Sequence, residues 1–127
     1  MELINYSLPD LTRGQIIEII NLTSSTFPDN AYKSSKEKKV AEFCARHSEK
    51  ICHCLHQDKE LIGFPESFPI TIKIVNKELE VMGIGDVCVY PEFRGKGLGA
   101  SIVKSAFARI DANQYPCLLY TSPSPRD

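Results

Sequence analysis

One stretch constrains this chain more than any other: DVCVYPEFRGKGLGASIVKSAFARI, from Asp86 to Ile110. An alternating apolar run ends in Pro-Glu, turns through Gly95, Gly97 and Gly99 beside Arg94 and Lys96, and becomes an amphipathic helix. Glycine destabilises a helix by about 1 kcal/mol relative to alanine. Three at one helix entry therefore imply that something comes very close to the backbone. The glycines let successive N–H groups converge, and the helix starting near Leu98 adds its positive end. That arrangement suits a pyrophosphate. Hydrogen bonds to a charged acceptor are worth about 1.5–3 kcal/mol each, so three or four of them dominate binding and Arg94 and Lys96 are secondary. The structural alternative is a glycine-rich entry needed only for tight packing.

Three kinds of phosphate loop compete for this stretch. A Walker A loop fails, because Gly95-Lys96 is followed by Gly97 and Tyr90 stands where the first glycine is required. Gly95-x-Gly97-x-x-Ala100 formally fits a dinucleotide fingerprint, but that loop opens the first βαβ unit of a parallel sheet. Here it follows what reads as an antiparallel meander.

The meander comes from the pattern along the chain. Glu2 to Ser7 reads as a short strand, and Thr12 with Gln15 forms a capping box ahead of Ile16, Ile17, Ile19, Ile20 and Leu22, a helix that should be well buried. Phe27 to Asn30 breaks it. A second box, Ser34 to Glu37, opens a helix with Val40, Phe43, Cys44 and His47 on one face and Lys36, Lys38 and Lys39 solvated. From Ile51 the period becomes two: ICHCLHQ, the turn DKE and LIGF predict a hairpin. Pro65 and Pro69 predict a bulge or a bend at a sheet edge. ITIKIV, the turn NKE and LEVMGIGDVCVY complete the meander. Leu98, Ile102, Val103, Ala106, Phe107 and Ile110 give the last helix one face with which to pack on the sheet.

Composition narrows the partners. The chain has 127 residues and a formal net charge of −1, which fits one domain and argues against nucleic acid or an anionic membrane as partner. The N-terminus has no secretory pattern, and five cysteines is an odd count, so the cysteines read as reduced thiols in the cytoplasm. The sequon Asn21-Leu22-Thr23 then carries no glycan. Cys44, His47, Cys52, His53, Cys54 and His56 do not pair with structural-zinc spacing, so no metal site is expected.

The segment VCVYPEFRGKGLGASIV resembles motif A of the GNAT superfamily of acyl-CoA-dependent N-acyltransferases, whose signature R/Q-x-x-G-x-G/A is matched by Arg94 to Gly99. Element order from residue 2 to about residue 112 is similar to the first two-thirds of that fold. The resemblance implies an α+β fold with a mixed, mostly antiparallel sheet flanked by helices, in the order β-α-α-β-β-β-α and missing the C-terminal strands and helix. It also implies acetyl-CoA as acyl donor, with its pyrophosphate on Gly95, Lys96, Gly97, Leu98, Gly99 and Ala100 beside Arg94. The pantetheine would lie along the edge of Val87-Cys88-Val89, and an N–H of Cys88 or Val89 would polarise the thioester. Asp86, eight residues before Arg94, is the candidate to take the proton of a small-molecule or peptide amine. A tyrosine usually protonates the departing thiolate, and neither Tyr115 nor Tyr120 can be assigned that role. A homodimer through the missing strands is possible in the full-length protein, and a non-catalytic CoA-binding module is the rival reading.

The last eleven residues, CLLYTSPSPRD, look unlike the rest. One reading frame of a widely used transposase-type sequencing adapter encodes Cys-Leu-Leu-Tyr-Thr-Ser and continues to match along the segment. Residues 1–116 are therefore expected to be a partial domain and residues 117–127 a non-native tail, one apolar enough to pair as a strand. Weak CoA binding and slow turnover follow for this chain.

Overall fold

The computed structural model describes residues 1–26, 35–46 and 48–108, together with the backbone of 118–121. Phe27 to Asn30, Ser34, His47 and Ile110 lie outside the described residues. Strand β1 (Glu2–Ser7) leads through a short 3-10 turn to helix α1 (Arg13–Thr26), then α2 (Lys36–Ala45). Strands β2 (Ile51–Gln57), β3 (Glu60–Ile74) and β4 (Lys77–Val89) follow, then α3 (Leu98–Ala108) and β5 (Leu118–Thr121). The sheet order is β1-β2-β3-β4-β5; the first four strands are antiparallel to their neighbours, and β5 is parallel to β4. A dinucleotide fold needs a parallel sheet opened by its glycine loop, so that alternative falls here.

Strand alternation sorts the apolar residues onto two faces. On one, Cys52, Cys54, Leu61, Phe64 and Cys88 pack against Ile16, Ile19, Ile20 and Leu22 of α1 and Phe43 of α2. On the other, Leu55, Ile62 and Val89 meet Ile102 of α3, while Ile84 and Val87 meet Ala106. Each such buried side chain stabilises the fold by about 1.5–3 kcal/mol. Gly63 lets α3 sit close, since a Cβ there would lie 2.7 Å from Ile102 Cδ1.

Local signals held to differing degrees. The first capping box forms in both directions: Thr12 N–H donates to Gln15 Oε1 at 2.8 Å, and Gln15 N–H to Thr12 Oγ1 at 3.1 Å. The second helix is capped one residue later than expected, by Ser35 Oγ accepting from Lys38 N–H at 3.2 Å. Glu37 turns instead to Arg13 across α1, at 3.3 Å. The β3–β4 turn is Val75-Asn76 rather than NKE, and Lys77 and Glu78 already belong to β4.

Pro65 does not mark an edge. It sits in an interior strand, at a bulge where it alone stands opposite Asp86 and Val87, between the pairs Phe64–Cys88 and Glu66–Gly85. Pro69 lies past the last β2 pair, Ile51–Ser67, where β3 keeps a neighbour on one side only. At the C-terminus the tail does form a strand, β5, along Met82–Gly85 of β4. An open strand edge pairs with any apolar extended segment, so this pairing follows from β4's edge whatever the segment's origin.

Candidate functional site

The glycine turn has the conformation its sequence demands. After the 3-10 turn Pro91–Phe93, Gly95 and Gly97 take φ of +80° and +71°, the left-handed region that favours glycine. A Cβ on either would meet none of the described residues within 4 Å, so the space beside each glycine is open. Gly97 C=O accepts the first helical bond, from Ser101 N–H at 3.0 Å, and the N–H groups of the first turn of α3 therefore point out of its N-terminal end. Gly95, Lys96, Gly97 and Ala100 are exposed, Leu98 is half-buried and Gly99 is buried beneath them. An exposed array of N–H groups at a positive helix end fits a pyrophosphate.

The two cations of the turn differ. Arg94 is turned inward: its Nε donates to Val89 C=O at 2.9 Å, and its Nη2 to Thr26 Oγ1 on α1 at 3.2 Å. It fastens the turn to the end of β4. Lys96 stays exposed, with its Nζ 5.9 Å from the centroid of the Phe93 ring.

The edge of β4 beyond β5 is set by the ladder. Among the described residues the last β4–β5 pair is Gly85–Thr121, and Asp86 to Val89 have no described β5 partner. Tyr90 N–H donates to Ile62 C=O at 3.0 Å, which makes Gly63–Val89 the adjacent pair that exchanges no bonds. Val89 N–H and C=O therefore face away from β3, whereas those of Cys88 face it. Of the two polarising groups expected from the sequence, only Val89 N–H points to the open side. The Cys88 side chain is buried and its thiol is pushed up to about 12, chiefly by burial, so it is a packing residue and no nucleophile. Val87 is buried against α3.

Asp86 stands in the bulge with φ +56°, strained for any residue but glycine and most tolerable for Asp or Asn. Its carboxylate accepts a 2.8 Å hydrogen bond from Arg46 Nη2, at the end of α2. The same nitrogen lies 3.5 Å from Oε1 of Glu66, the β3 residue next to the bulge. Glu66 is 2% exposed, and its Oε2 is 3.4 Å from Nζ of Lys50, which is also buried. Lys50 Nζ donates to Phe43 C=O at 2.6 Å and lies 3.5 Å from the centroid of the Phe43 ring. Burial pushes the Glu66 carboxyl up and the Lys50 ammonium down, each opposed by the other's charge.

Sequence reasoning missed Glu66, Lys50 and Arg46. The one available signal was a carboxylate set inside the apolar run LIGFPESFPI. The cysteine–histidine set gathers no metal site among the described residues. Cys52 and Cys54 are in the core with thiols pushed up to about 12, and His53 on the opposite face contacts Asn5 Oδ1 and, at 2.8 Å, Ser67 Oγ. No helix among the described residues is long and apolar enough to cross a membrane.

The family model described as "Acetyltransferase (GNAT) domain" matches residues 8–125, and the chain belongs to that family. No curated protein matches the chain. Solved structures do. A probable N-acyltransferase from Enterococcus faecalis V583 is 19% identical with a TM-score of 0.66; the match covers 91% of this chain and 28% of that one. A ribosomal-protein-alanine N-acetyltransferase from Brucella melitensis biovar Abortus 2308 is 18% identical over 97% of this chain and 81% of its own, with a TM-score of 0.65. An aminoglycoside N-acetyltransferase solved in complex with CoA is 13% identical, TM-score 0.69, over 96% of this chain and 77% of its own.

Proposed function

We propose that this chain carries the donor half of an N-acetyltransferase, taking acetyl-CoA as acyl donor and an amine as acceptor. The observation that carries the proposal is the glycine turn, with left-handed Gly95 and Gly97 and open space beside each, where the N–H groups from Gly95 to Ala100 would receive the pyrophosphate. The pantetheine would run along Val87 to Val89, past the last described β5 pair. Val89 N–H is placed to hydrogen-bond the thioester carbonyl and to hold the negative charge that grows on its oxygen during attack. Asp86 takes a proton from the acceptor nitrogen as the N–C bond forms; the C–S bond then breaks and the thiolate leaves. Residues 1–116 form the GNAT portion in this reading, 117–127 are a non-native tail, and the protein acts in the cytoplasm.

The test is Gly97→Glu, with CoA binding followed by calorimetry. The side chain would add a carboxylate where the phosphates should lie, at a position whose positive φ already disfavours any Cβ. Affinity should fall at least 100-fold while the chain stays folded. Unchanged affinity in a folded variant would refute the phosphate assignment. CoA binding without thiol release on an amine panel would make the chain a binding module.

A further inference from the structure

The acyl-transfer reading leaves open which amines the site accepts, and the four charges beside the bulge bear on that. Asp86 and Glu66 converge on one guanidinium nitrogen of Arg46, at 2.8 and 3.5 Å. The two cations of the cluster are held differently. Lys50 is buried and anchored to Phe43 C=O. Arg46 is the C-cap residue of α2, and its side chain is 51% exposed. It can swing away without opening the core. With Arg46 in place the cluster sums to zero; with Arg46 withdrawn, two carboxylates face Lys50 alone and the site is left with one net negative charge.

We infer that the acceptor is a cationic amine, and that Arg46 is its internal competitor, its guanidinium filling the place between Asp86 and Glu66 that the acceptor's ammonium takes. This rests on the acyl-transfer reading and deepens it. Asp86 lies one residue past the last β4 residue with a described β5 partner and three before Val89, so a cation bound there stands next to the proposed thioester position. Displacement also frees the proton acceptor. The bound ammonium gives one proton to solvent and attacks as the neutral amine, and Asp86, no longer engaged by Arg46, takes the second proton as the N–C bond forms. An anionic amine would meet two carboxylates at the same place and be repelled. Arg46 is thus a specificity-determining residue.

The experiment is calorimetric titration of wild type, Arg46→Gln, Arg46→Lys and Asp86→Asn with spermidine and, separately, glucosamine 6-phosphate, at low ionic strength and without CoA. Removing a competing ion pair of this exposure should tighten spermidine binding by roughly three- to tenfold in Arg46→Gln. Arg46→Lys keeps the charge and should bind close to wild type, whereas Asp86→Asn should bind more weakly. Glucosamine 6-phosphate should bind no variant more tightly than spermidine does. If Arg46→Gln binds spermidine no better than wild type, the inference is wrong. If it loses glucosamine 6-phosphate instead, Arg46 is an anion anchor and the acceptor class is the opposite one. Failure of the acyl-transfer reading would appear elsewhere, as no CoA binding by wild type or as CoA binding without thiol release on an amine panel.

Discussion

The buried carboxylate Glu66 offers the sharpest test of what holds this site together, because two rules give opposite signs for Glu66→Gln. Removing one partner of a favourable buried ion pair costs about 3–5 kcal/mol, since the other charge is left stranded. A pair whose Coulomb gain does not repay desolvation behaves differently, and its neutral replacement stabilises by about 1–4 kcal/mol. The geometry decides for the second. The cations stand 3.4 and 3.5 Å from Glu66, beyond a short charged hydrogen bond, and Oε2 has no hydrogen-bond partner. Burial outweighs Lys50 and then Arg46 in raising the Glu66 pKa, while Asp86 adds to the rise. The folded chain consequently holds the Glu66 proton to a higher pH than the unfolded chain does. The stability this contributes is full below about pH 4.3, the unfolded value, and is lost as pH rises through the folded value. Glu66→Gln mimics the protonated acid and has no such slope. Urea denaturation should therefore find the two chains equal near pH 4, with the variant more stable by about 1–3 kcal/mol at pH 7. Lys50 works in the mirror sense: its contribution is full above about pH 10.4 and is lost as pH falls through its lowered folded value. A variant 3–5 kcal/mol less stable than wild type at pH 7 would refute this reasoning and show Glu66–Lys50 to be a net stabilising pair.

Two further outcomes test the packing around the site. Gly63→Ala places a Cβ 2.7 Å from Ile102 Cδ1 and should cost about 1–2 kcal/mol in thermal denaturation, with part recovered by Ile102→Val; no loss would mean that α3 does not press on β3 as described. The Cys88 thiol, pushed up to about 12, should alkylate with iodoacetamide at pH 7.5 at least 1,000-fold more slowly in the native chain than in urea, and ready labelling would show that its side chain is not buried in the core.

What the sequence made legible is the part governed by neighbours in the chain. The Thr12–Gln15 box, the period-two strands and the left-handed glycines at 95 and 97 depend on local spacing, and each formed as read. Adjacent serines defeated the second box, because both Ser34 and Ser35 carry a capping oxygen and only the register of α2 on the core chooses between them. The last hairpin was misplaced by one step because NKE has better turn composition than Val75-Asn76. Register along the β3–β4 ladder put Val75 at φ +56° nonetheless. Arg94 fastens the turn to β4 and α1, and nothing local reveals that Val89 C=O and Thr26 Oγ1 both lie within its reach. The charge cluster joins Arg46, Lys50, Glu66 and Asp86 from three separate segments, and no periodicity reports such a meeting.

The bulge at Asp86 ties these features into one site. Two residues of β4 stand against Pro65 alone, and a proline suits that position because it has no N–H to offer a ladder that is already broken there. The extra residue turns Asp86 toward Glu66 and the end of α2, one position past the last described β5 pair. Past the bulge the alternation resumes, which leaves Val89 N–H on the open side and brings the chain into the glycine turn. A regular strand would have given up this offset, and with it the adjacency of a strained carboxylate, a free strand edge and a helix N-terminus. Asp86 in a left-handed conformation and Glu66 buried without full pairing both cost stability in a fold with a sufficient core. Packing alone favours glycine at 86 and an apolar residue at 66, so these two unfavourable features set side by side support the proposal that Asp86 accepts a proton in a site that binds an amine.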